Sequence, residues 1–220
     1  MLDSRIRRLI DPPLTSVAAA IDRPWISPDR LTVAGLVLGL ASAGAAALTL
    51  WWPALVLWLV SRILDGLDGS LARLRRSSEV AGAGGSSGAG RAGGSSEAGG
   101  FLDIVSDFVV YGATVFGVAV GASVAFDAPW WPFALVLLTY YVNGTAFLAF
   151  SSIAERTGRR IDDGRSLSFL GRIAEGTETI IVHSVWLIVP FLAWQIAVVW
   201  AVFVAASAVQ RIIVGYRSLR

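Results

Sequence analysis

The chain alternates long apolar stretches with short segments that carry most of its charge. Six stretches come close to the roughly 20 residues that an α-helix needs to cross the hydrocarbon core of a bilayer. They are residues 31–50, 53–73, 101–122, 130–154, 177–194 and 196–215. Polar residues interrupt the second and the fifth stretch, so the ends of these two are the least defined. The pattern predicts an all-α, polytopic membrane protein with six transmembrane helices.

Composition and charge agree with this prediction. The 220 residues are 55% hydrophobic and only 15% charged, with a mean hydropathy of +0.66, whereas soluble domains are about 25% charged. A formal net charge of +2 gives no strong basic field, so no nucleic-acid partner is expected. Because the chain has no cysteine, disulfides, thiolate metal sites and a cysteine nucleophile are excluded.

The arginines predict how the chain is oriented in the membrane. All basic residues are arginine, and apart from Arg62 they lie in the tails, in the loops or at the span ends of one side. The opposite loops carry tryptophans instead, namely Trp51, Trp52, Trp130 and Trp131. The positive-inside rule and the aromatic belt at the far interface therefore predict that both termini are cytoplasmic.

An amphipathic segment precedes the first predicted span. Apolar residues recur at helical spacing in residues 2–10, arginines lie on the other faces, and Pro12 and Pro13 are expected to end this helix. This pattern is typical of a helix that lies in the membrane interface. Residues 1–30 are thus predicted to be a cytoplasmic interfacial segment, and residues 31–220 a six-helix membrane domain.

Two pairs of aspartates carry the candidate chemistry. Asp65 and Asp68 lie three residues apart in the second predicted span, and Asp103 and Asp107 lie four apart in the third. Each pair therefore shares one face of its helix. Ionised carboxylates at membrane depth are costly and repel one another. A bound divalent cation would resolve both problems, and two such ions are expected.

The ligand types narrow the choice of metal. Carboxylate oxygens without a histidine–cysteine set favour Mg²⁺ over zinc, with Mn²⁺ and Ca²⁺ as alternatives. Mg²⁺ commonly keeps positions open for substrate phosphates, so a phosphate-bearing substrate is expected at the cytoplasmic end of these two helices. Arg62, three residues before Asp65, is expected to balance part of the acidic charge.

The aspartates belong to a longer pattern. Residues 65–73 read Asp-x-x-Asp-Gly-x-x-Ala-Arg, and residues 99–107 read Gly-x-x-x-Asp-x-x-x-Asp. This pattern resembles the signature of the CDP-alcohol phosphotransferases, also called CDP-alcohol phosphatidyltransferases, and bacterial inner-membrane members are the most similar. Six spans, cytoplasmic termini, a surface N-terminal helix and the Pro-Asp-x-Leu-Thr sequence at residues 28–32 also resemble the family.

The resemblance implies an activity in phospholipid biosynthesis. A substituted phosphoryl group passes from a CDP-linked lipid donor, usually CDP-diacylglycerol, to the hydroxyl of a small polar alcohol, and CMP leaves. When the roles of the family's motif residues are transferred to this sequence, the implied metal ligands are Asp65, Asp68, Asp103 and Asp107. Asp107 is also the implied general base, and Gly69, Ala72 and Arg73 line the donor pocket. A homodimer in the inner membrane, with its active site at the cytoplasmic face, is implied as well.

The connection between the two motifs departs from the family. Residues 74–98 form a longer stretch than the family has, and glycine, alanine and serine make up most of it. Such a composition predicts a flexible cytoplasmic insert at about residues 77–98. A phosphate-binding glycine loop is the alternative, but the Gly-Lys-Ser/Thr ending typical of such loops is missing.

The acceptor alcohol is specified least. Glycerol 3-phosphate is favoured because small bacterial members of the family often use it and arginines can hold its phosphate by paired hydrogen bonds. The candidate acceptor-binding residues are Arg156, Arg160 and Arg211. For the loop arginines, the alternative is that they only anchor the topology.

Two further features are interpreted as structural. The spacing of Gly35 with Gly39 and of Gly117 with Gly121 predicts close helix packing, either within the chain or across a dimer. His183, the only histidine, lies in an apolar stretch and is expected to hydrogen-bond a neighbour rather than to perform chemistry.

Two other functional classes remain open from the residues alone. Membrane prenyltransferases also hold magnesium and pyrophosphate with aspartate-rich motifs on two helices, and transporters use intramembrane acids to couple cations or protons. Neither class requires the Gly69–Ala72–Arg73 continuation.

Overall fold

The computed structural model describes residues 2–82, 97–157 and 176–220, and these residues form helices joined by short loops. The α-helices are α1 (Leu2–Ile21), α2 (Pro28–Ala47), α3 (Trp51–Gly82), α4 (Glu97–Phe126), α5 (Trp131–Arg156), α6 (Gly176–Ile188) and α7 (Ala193–Leu219). A short 3-10 helix, Pro190–Leu192, connects α6 to α7. The prediction of an all-α protein is confirmed.

Several helices have the dimensions of membrane spans. Among the described residues, four helical stretches are long and apolar enough to cross a bilayer: Pro28–Ala47, Glu97–Phe126, Trp131–Arg156 and Pro190–Leu219. Helix α3 has 32 residues but carries the charged motif, and α6 has 13 residues, which is about 20 Å of helix. The count of six spans, which needs α3 and α6, stays a prediction.

The fifth predicted segment, residues 177–194, is not one continuous helix. Helix α6 ends at Ile188, and the 3-10 helix separates it from α7. The N–H of Val189 still donates to the carbonyl of Val185 (2.9 Å), but Pro190 has no N–H with which to continue the ladder. The proline therefore ends the helix inside an apolar stretch that hydropathy alone joins together.

Helix α1 continues through Pro12 and Pro13, so the prediction that these prolines end the first helix is wrong. Proline fixes φ near the helical value, so both prolines are compatible with a helical backbone. Their nitrogens carry no hydrogen and donate no helical hydrogen bond. Ala18 of α1 is fully buried against Leu67 and Leu71 of α3. The second half of α1 thus packs on the bundle, and its interfacial character stays a prediction.

The predicted insert at about residues 77–98 is helical at both ends, and its flexibility stays a prediction. Helix α3 continues to Gly82 and α4 begins at Glu97, while residues 83–96 lie outside the described residues. The sequence before Gly82 contains leucine, alanine, arginine and glutamate, which favour helix. These residues let α3 extend beyond the motif.

Helix α2 packs between α3 and α4 through small residues. A Cβ atom on Gly39 would lie 2.6 Å from Val110 of α4, and one on Gly117 of α4 would collide with the carbonyl of Ala43. Only glycine allows the backbones to approach this closely. The packing prediction is confirmed, and these contacts lie within the chain.

Helices α5, α6 and α7 complete the bundle around an aromatic core. His183 of α6 is fully buried, and its Nε2 is hydrogen-bonded to the hydroxyl of Tyr140 of α5 at 3.0 Å. Nε1 of Trp200 in α7 donates to the same hydroxyl at 2.7 Å. The ring of Trp58 in α3 lies 5.0 Å from His183 between ring centroids. The predicted bonding role of His183 is confirmed, and the cluster joins four helices.

Candidate active site

Helices α3 and α4 bring three of the four predicted aspartates into one group. One carboxylate oxygen from each of Asp65, Asp68 and Asp103 lies within 4.8 Å of the other two. Asp68 is 5% exposed, and the other two are partly buried. A divalent ion at about 2.0–2.6 Å from its oxygens separates opposite ligands by roughly 4–5 Å. The donor atoms and their spacing therefore fit a hard divalent cation.

Asp68 is held in place by α2. The hydroxyl of Thr32 donates a hydrogen bond to Oδ2 of Asp68, and Thr32 is itself buried. Sequence reasoning missed Thr32 as a site residue. The available signal was its position three and seven residues before Gly35 and Gly39, which places it on the packed face of α2.

The fourth aspartate contacts an arginine. Nη1 of Arg62 lies 2.6 Å from Oδ1 of Asp107 and 3.6 Å from Oδ1 of Asp65. The side chain of Asp107 is 34% exposed, so part of it stays accessible. The charge-balancing role expected of Arg62 agrees with these contacts, and metal ligation by Asp107 stays a prediction.

Arg62 is fixed on several sides. It is 7% exposed, and its Cζ lies 5.2 Å from the ring centroids of both Trp58 and Tyr111, within cation–π range. Its Nη2 donates to the hydroxyl of Ser61 (3.0 Å), which in turn donates to the carbonyl of Gly35 (2.7 Å). Sequence reasoning missed these partners, although Trp58 stands four residues before Arg62 on one helical face.

The predicted donor-pocket residues follow the aspartates along α3. Ala72 is buried, Gly69 is partly buried and Arg73 is exposed. Nη2 of Arg73 donates to the hydroxyl of Ser70 at 3.1 Å, and a Cβ on Gly69 would lie 3.3 Å from Nη1 of Arg73. The guanidinium therefore lies over Gly69 at the surface, where a larger residue would crowd it. Donor binding by these residues stays a prediction.

The predicted acceptor-binding arginines lie in different places. Arg156 is exposed at the end of α5 and lines a cavity of about 470 Å³. The other residues that line it are Ile104, Leu148, Ser151, Ser152 and Glu155. Arg211 of α7 is buried, with its Cζ 5.6 Å from the ring centroid of Phe147 in α5. Arg160 lies outside the described residues.

The cavity lies between α4 and α5. Ile104 lies on the turn of α4 that begins with Asp103, whereas Arg156 and the serines come from the last turns of α5. A ligand in this cavity would therefore contact residues of both helices. Arg211 packs against Phe147 between α5 and α7, and acceptor binding by Arg211 stays a prediction.

Two solved structures share the fold. The crystal structure of Mycobacterium tuberculosis phosphatidylinositol phosphate synthase with CDP-DAG bound has a TM-score of 0.59 and 22% identity, and the match covers 94% of this chain and 91% of that one. The same synthase in complex with manganese and citrate has a TM-score of 0.58 and 23% identity, over 94% of this chain and 87% of that one. The helical arrangement is thus that of these synthases.

Sequence comparison identifies the family. The family model for CDP-alcohol phosphatidyltransferase matches residues 25–83, which contain the first aspartate pair with Gly69, Ala72 and Arg73. The inner membrane protein YnjF of Escherichia coli (strain K12) is 34% identical over 200 residues, which is 88% of this chain and 84% of the relative. With the motif and nearly the whole length matched, the chain belongs to the CDP-alcohol phosphatidyltransferase family.

Proposed function

We propose that this phosphatidyltransferase uses CDP-diacylglycerol as donor and glycerol 3-phosphate as the favoured acceptor, with release of CMP. The observation that carries the proposal is the group of three carboxylates on α3 and α4, in a member of a family that acts on CDP-alcohols. Carboxylates of this kind bind the divalent ions that accompany pyrophosphate groups. The apolar helices beside them suit a donor whose acyl chains stay in the bilayer.

Asp65, Asp68 and Asp103 would hold a divalent cation, and Mg²⁺ is the proposed ion. When bound, the ion would supply positive charge against the oxygens of the transferred phosphoryl group. Thr32 keeps the carboxylate of Asp68 turned toward the site. Exposed Arg73, next in the motif, is proposed to bind the donor phosphates, since a guanidinium pairs with phosphate oxygens.

Asp107 is proposed to be the general base. Its partly exposed carboxylate is accessible to an acceptor hydroxyl, and Arg62 contacts Oδ1, so we assign the proton to Oδ2. As the proton moves to Asp107, the acceptor oxygen bonds to the phosphorus of the phosphatidyl group. The bond from this phosphorus to the CMP oxygen breaks, and CMP leaves with that electron pair.

The acceptor phosphate is proposed to bind in the cavity beside Arg156. A guanidinium can hold a phosphate through two hydrogen bonds, and Ser151 and Ser152 line the same space. Arg160 and Arg211 are the further candidates for this role.

We also propose an inner-membrane location with six spans, cytoplasmic termini and a cytoplasmic active site, in a homodimer. Trp52 and Trp131, near the starts of α3 and α5, are 69% and 57% exposed, as expected for a belt at the opposite interface. Arg73, Arg75, Arg76 and Arg156 lie at the other ends of the same helices, which supports this orientation.

A release assay tests the proposal. Purified protein with Mg²⁺ and CDP-diacylglycerol is given glycerol 3-phosphate, inositol phosphate, serine, phosphatidylglycerol or choline, and CMP is measured. Release with glycerol 3-phosphate alone supports the full proposal, and release with another alcohol changes the acceptor only. Pyrophosphate release from a prenyl diphosphate would indicate a prenyltransferase. Without CMP release and without donor binding, the proposed donor is wrong.

A further inference from the structure

We infer that Arg62 takes the place of a second metal ion, so that each active site binds one divalent cation and Asp107 is not its ligand. The inference rests on the proposed function, because it concerns the same site. The four aspartates led us to expect two ions, and the inference reduces that number to one.

The carboxylates divide into a group of three and a single residue. Asp65, Asp68 and Asp103 approach one another closely enough to share one ion. Asp107 instead receives a hydrogen bond of 2.6 Å from Nη1 of Arg62, and the same nitrogen is 3.6 Å from Asp65. A second ion that bridged Asp65 and Asp107 would need the space that Nη1 fills.

The guanidinium at this position is held by the surrounding structure. The rings of Trp58 and Tyr111 lie against it, and its Nη2 donates to Ser61, whose hydroxyl is bonded to the backbone of α2. To admit an ion, Arg62 would have to give up these contacts within a buried environment. Loss of the aromatic contacts and loss of the hydrogen bond to Ser61 would both cost free energy, because the charge of Arg62 is desolvated.

An ion placed between Asp65 and Asp107 would also lie against the charge of Arg62. Two like charges a few ångströms apart repel each other, and Arg62 keeps its charge because the guanidinium is not deprotonated in proteins. The hydrogen bond from Arg62 also fixes the orientation of Asp107. In this arrangement Arg62 is a positioning residue for the proposed base.

The number of bound ions tests the inference directly. Mn²⁺ is titrated into the full-length protein in detergent micelles, and the stoichiometry is measured by calorimetry together with the electron paramagnetic resonance spectrum. One Mn²⁺ per chain, with the spectrum of an isolated ion, is expected. Two spin-coupled ions would overturn the inference while leaving the proposed function intact. If no Mn²⁺ binds, both the inference and the metal site of the proposed function fail.

Matched variants separate ligand from non-ligand. Asp103→Asn should lower Mn²⁺ affinity by about tenfold or more, whereas Asp107→Asn should leave it unchanged. Equal losses would make Asp107 a ligand and overturn the inference. Arg62→Met, which keeps apolar bulk and removes the charge, should raise the stoichiometry to two ions. If this variant does not fold, the aspartate pair still decides.

Discussion

Thr32, Ser61 and Arg62 hold the site together through hydrogen bonds that cross between helices. Thr32 joins α2 to Asp68, and Arg62 joins α3 to Asp107 of α4. Ser61 adds a bond from the guanidinium back to α2. Because Thr32 orients a proposed metal ligand, loss of its hydroxyl is expected to reduce metal binding without removing a ligand.

Thr32→Val removes the hydroxyl that contacts Asp68 and keeps the shape of the side chain. We expect Mg²⁺ or Mn²⁺ affinity to fall by about 10- to 100-fold, because one ligand loses its orientation. Calorimetric titration measures this change. Thr145→Val, at an exposed position of α5, is the matched control and should have no effect. An unchanged affinity in the Thr32 variant would remove Thr32 from the site.

Asp107→Asn removes the proposed base without changing its size. We expect CMP release to fall by about 100-fold or more, the usual contribution of a general base, while CDP-diacylglycerol still binds. The control is Asp127→Asn, at an exposed loop residue with φ 52°, a conformation that asparagine also tolerates. Retained activity would exclude Asp107 as the base, and loss of the protein from the membrane would make it structural.

The aspartates and the packing glycines could be predicted because their spacing fixes which residues share a helical face. The separation of Asp107 from the other three aspartates could not be predicted, because it depends on how α3 and α4 are rotated relative to each other. Trp58 and Tyr111 lie on different helices and meet Arg62 only in the folded bundle. Such contacts belong to tertiary packing, which spacing along one helix does not determine.

At the scale of the helices, α2 sets the distance between the two halves of the site. Its small residues let α3 and α4 lie close on either side, and the aspartates of both helices meet as a result. Because this packing is close, the glycine positions on α2 differ in how well they tolerate a larger side chain. Some face a neighbouring helix and others face outward.

Gly39→Ala and Gly44→Ala add the same methyl group, at Gly39 on the packed face of α2 and at Gly44 on its outward face. At Gly39 the new Cβ would lie 2.6 Å from Val110, whereas at Gly44 nothing lies within 4 Å. Overpacking at Gly39 is expected to destabilise the protein by about 1–3 kcal/mol. Gly44→Ala should be neutral or slightly stabilising, since alanine favours helix. Thermal unfolding in detergent compares the two, and equal melting temperatures would contradict the close packing of α2.

The positions of the helices could be predicted from the apolar stretches, but several helix ends could not. Pro12 and Pro13 lie within α1 while Pro190 ends a helix, so the same residue type has opposite consequences. The difference depends on the hydrogen bonds and packing around each proline, as in the contact of Ala18 with α3. Hydropathy does not report these interactions.

At the scale of the whole molecule, residues 74–98 connect the two aspartate motifs, and the family resemblance predicts a shorter connection there. Loop closure changes by only about 0.6 kcal/mol per doubling of length. Deletion of residues 80–94 is therefore expected to leave CMP release largely intact. A variant with a glycine–serine segment of equal length is the control for length alone. If deletion abolishes activity while the control retains it, the connection has a spacing role.

The polarity of the arginines predicts the topology of the whole chain, and the absence of cysteine makes that topology directly measurable. In vesicles reconstituted with the purified protein, a single introduced cysteine is the only target of a membrane-impermeant maleimide. In right-side-out vesicles, Leu48→Cys, Asp127→Cys and Phe191→Cys should be labelled, because each lies in a loop that six spans place outside. Ser78→Cys and Thr157→Cys should react only in inside-out vesicles. Labelling of Ser78→Cys from outside would mean that α3 does not cross the membrane. Protection of Phe191→Cys in right-side-out vesicles would mean that α6 does not reach the opposite side of the membrane, and the count of six spans would be wrong.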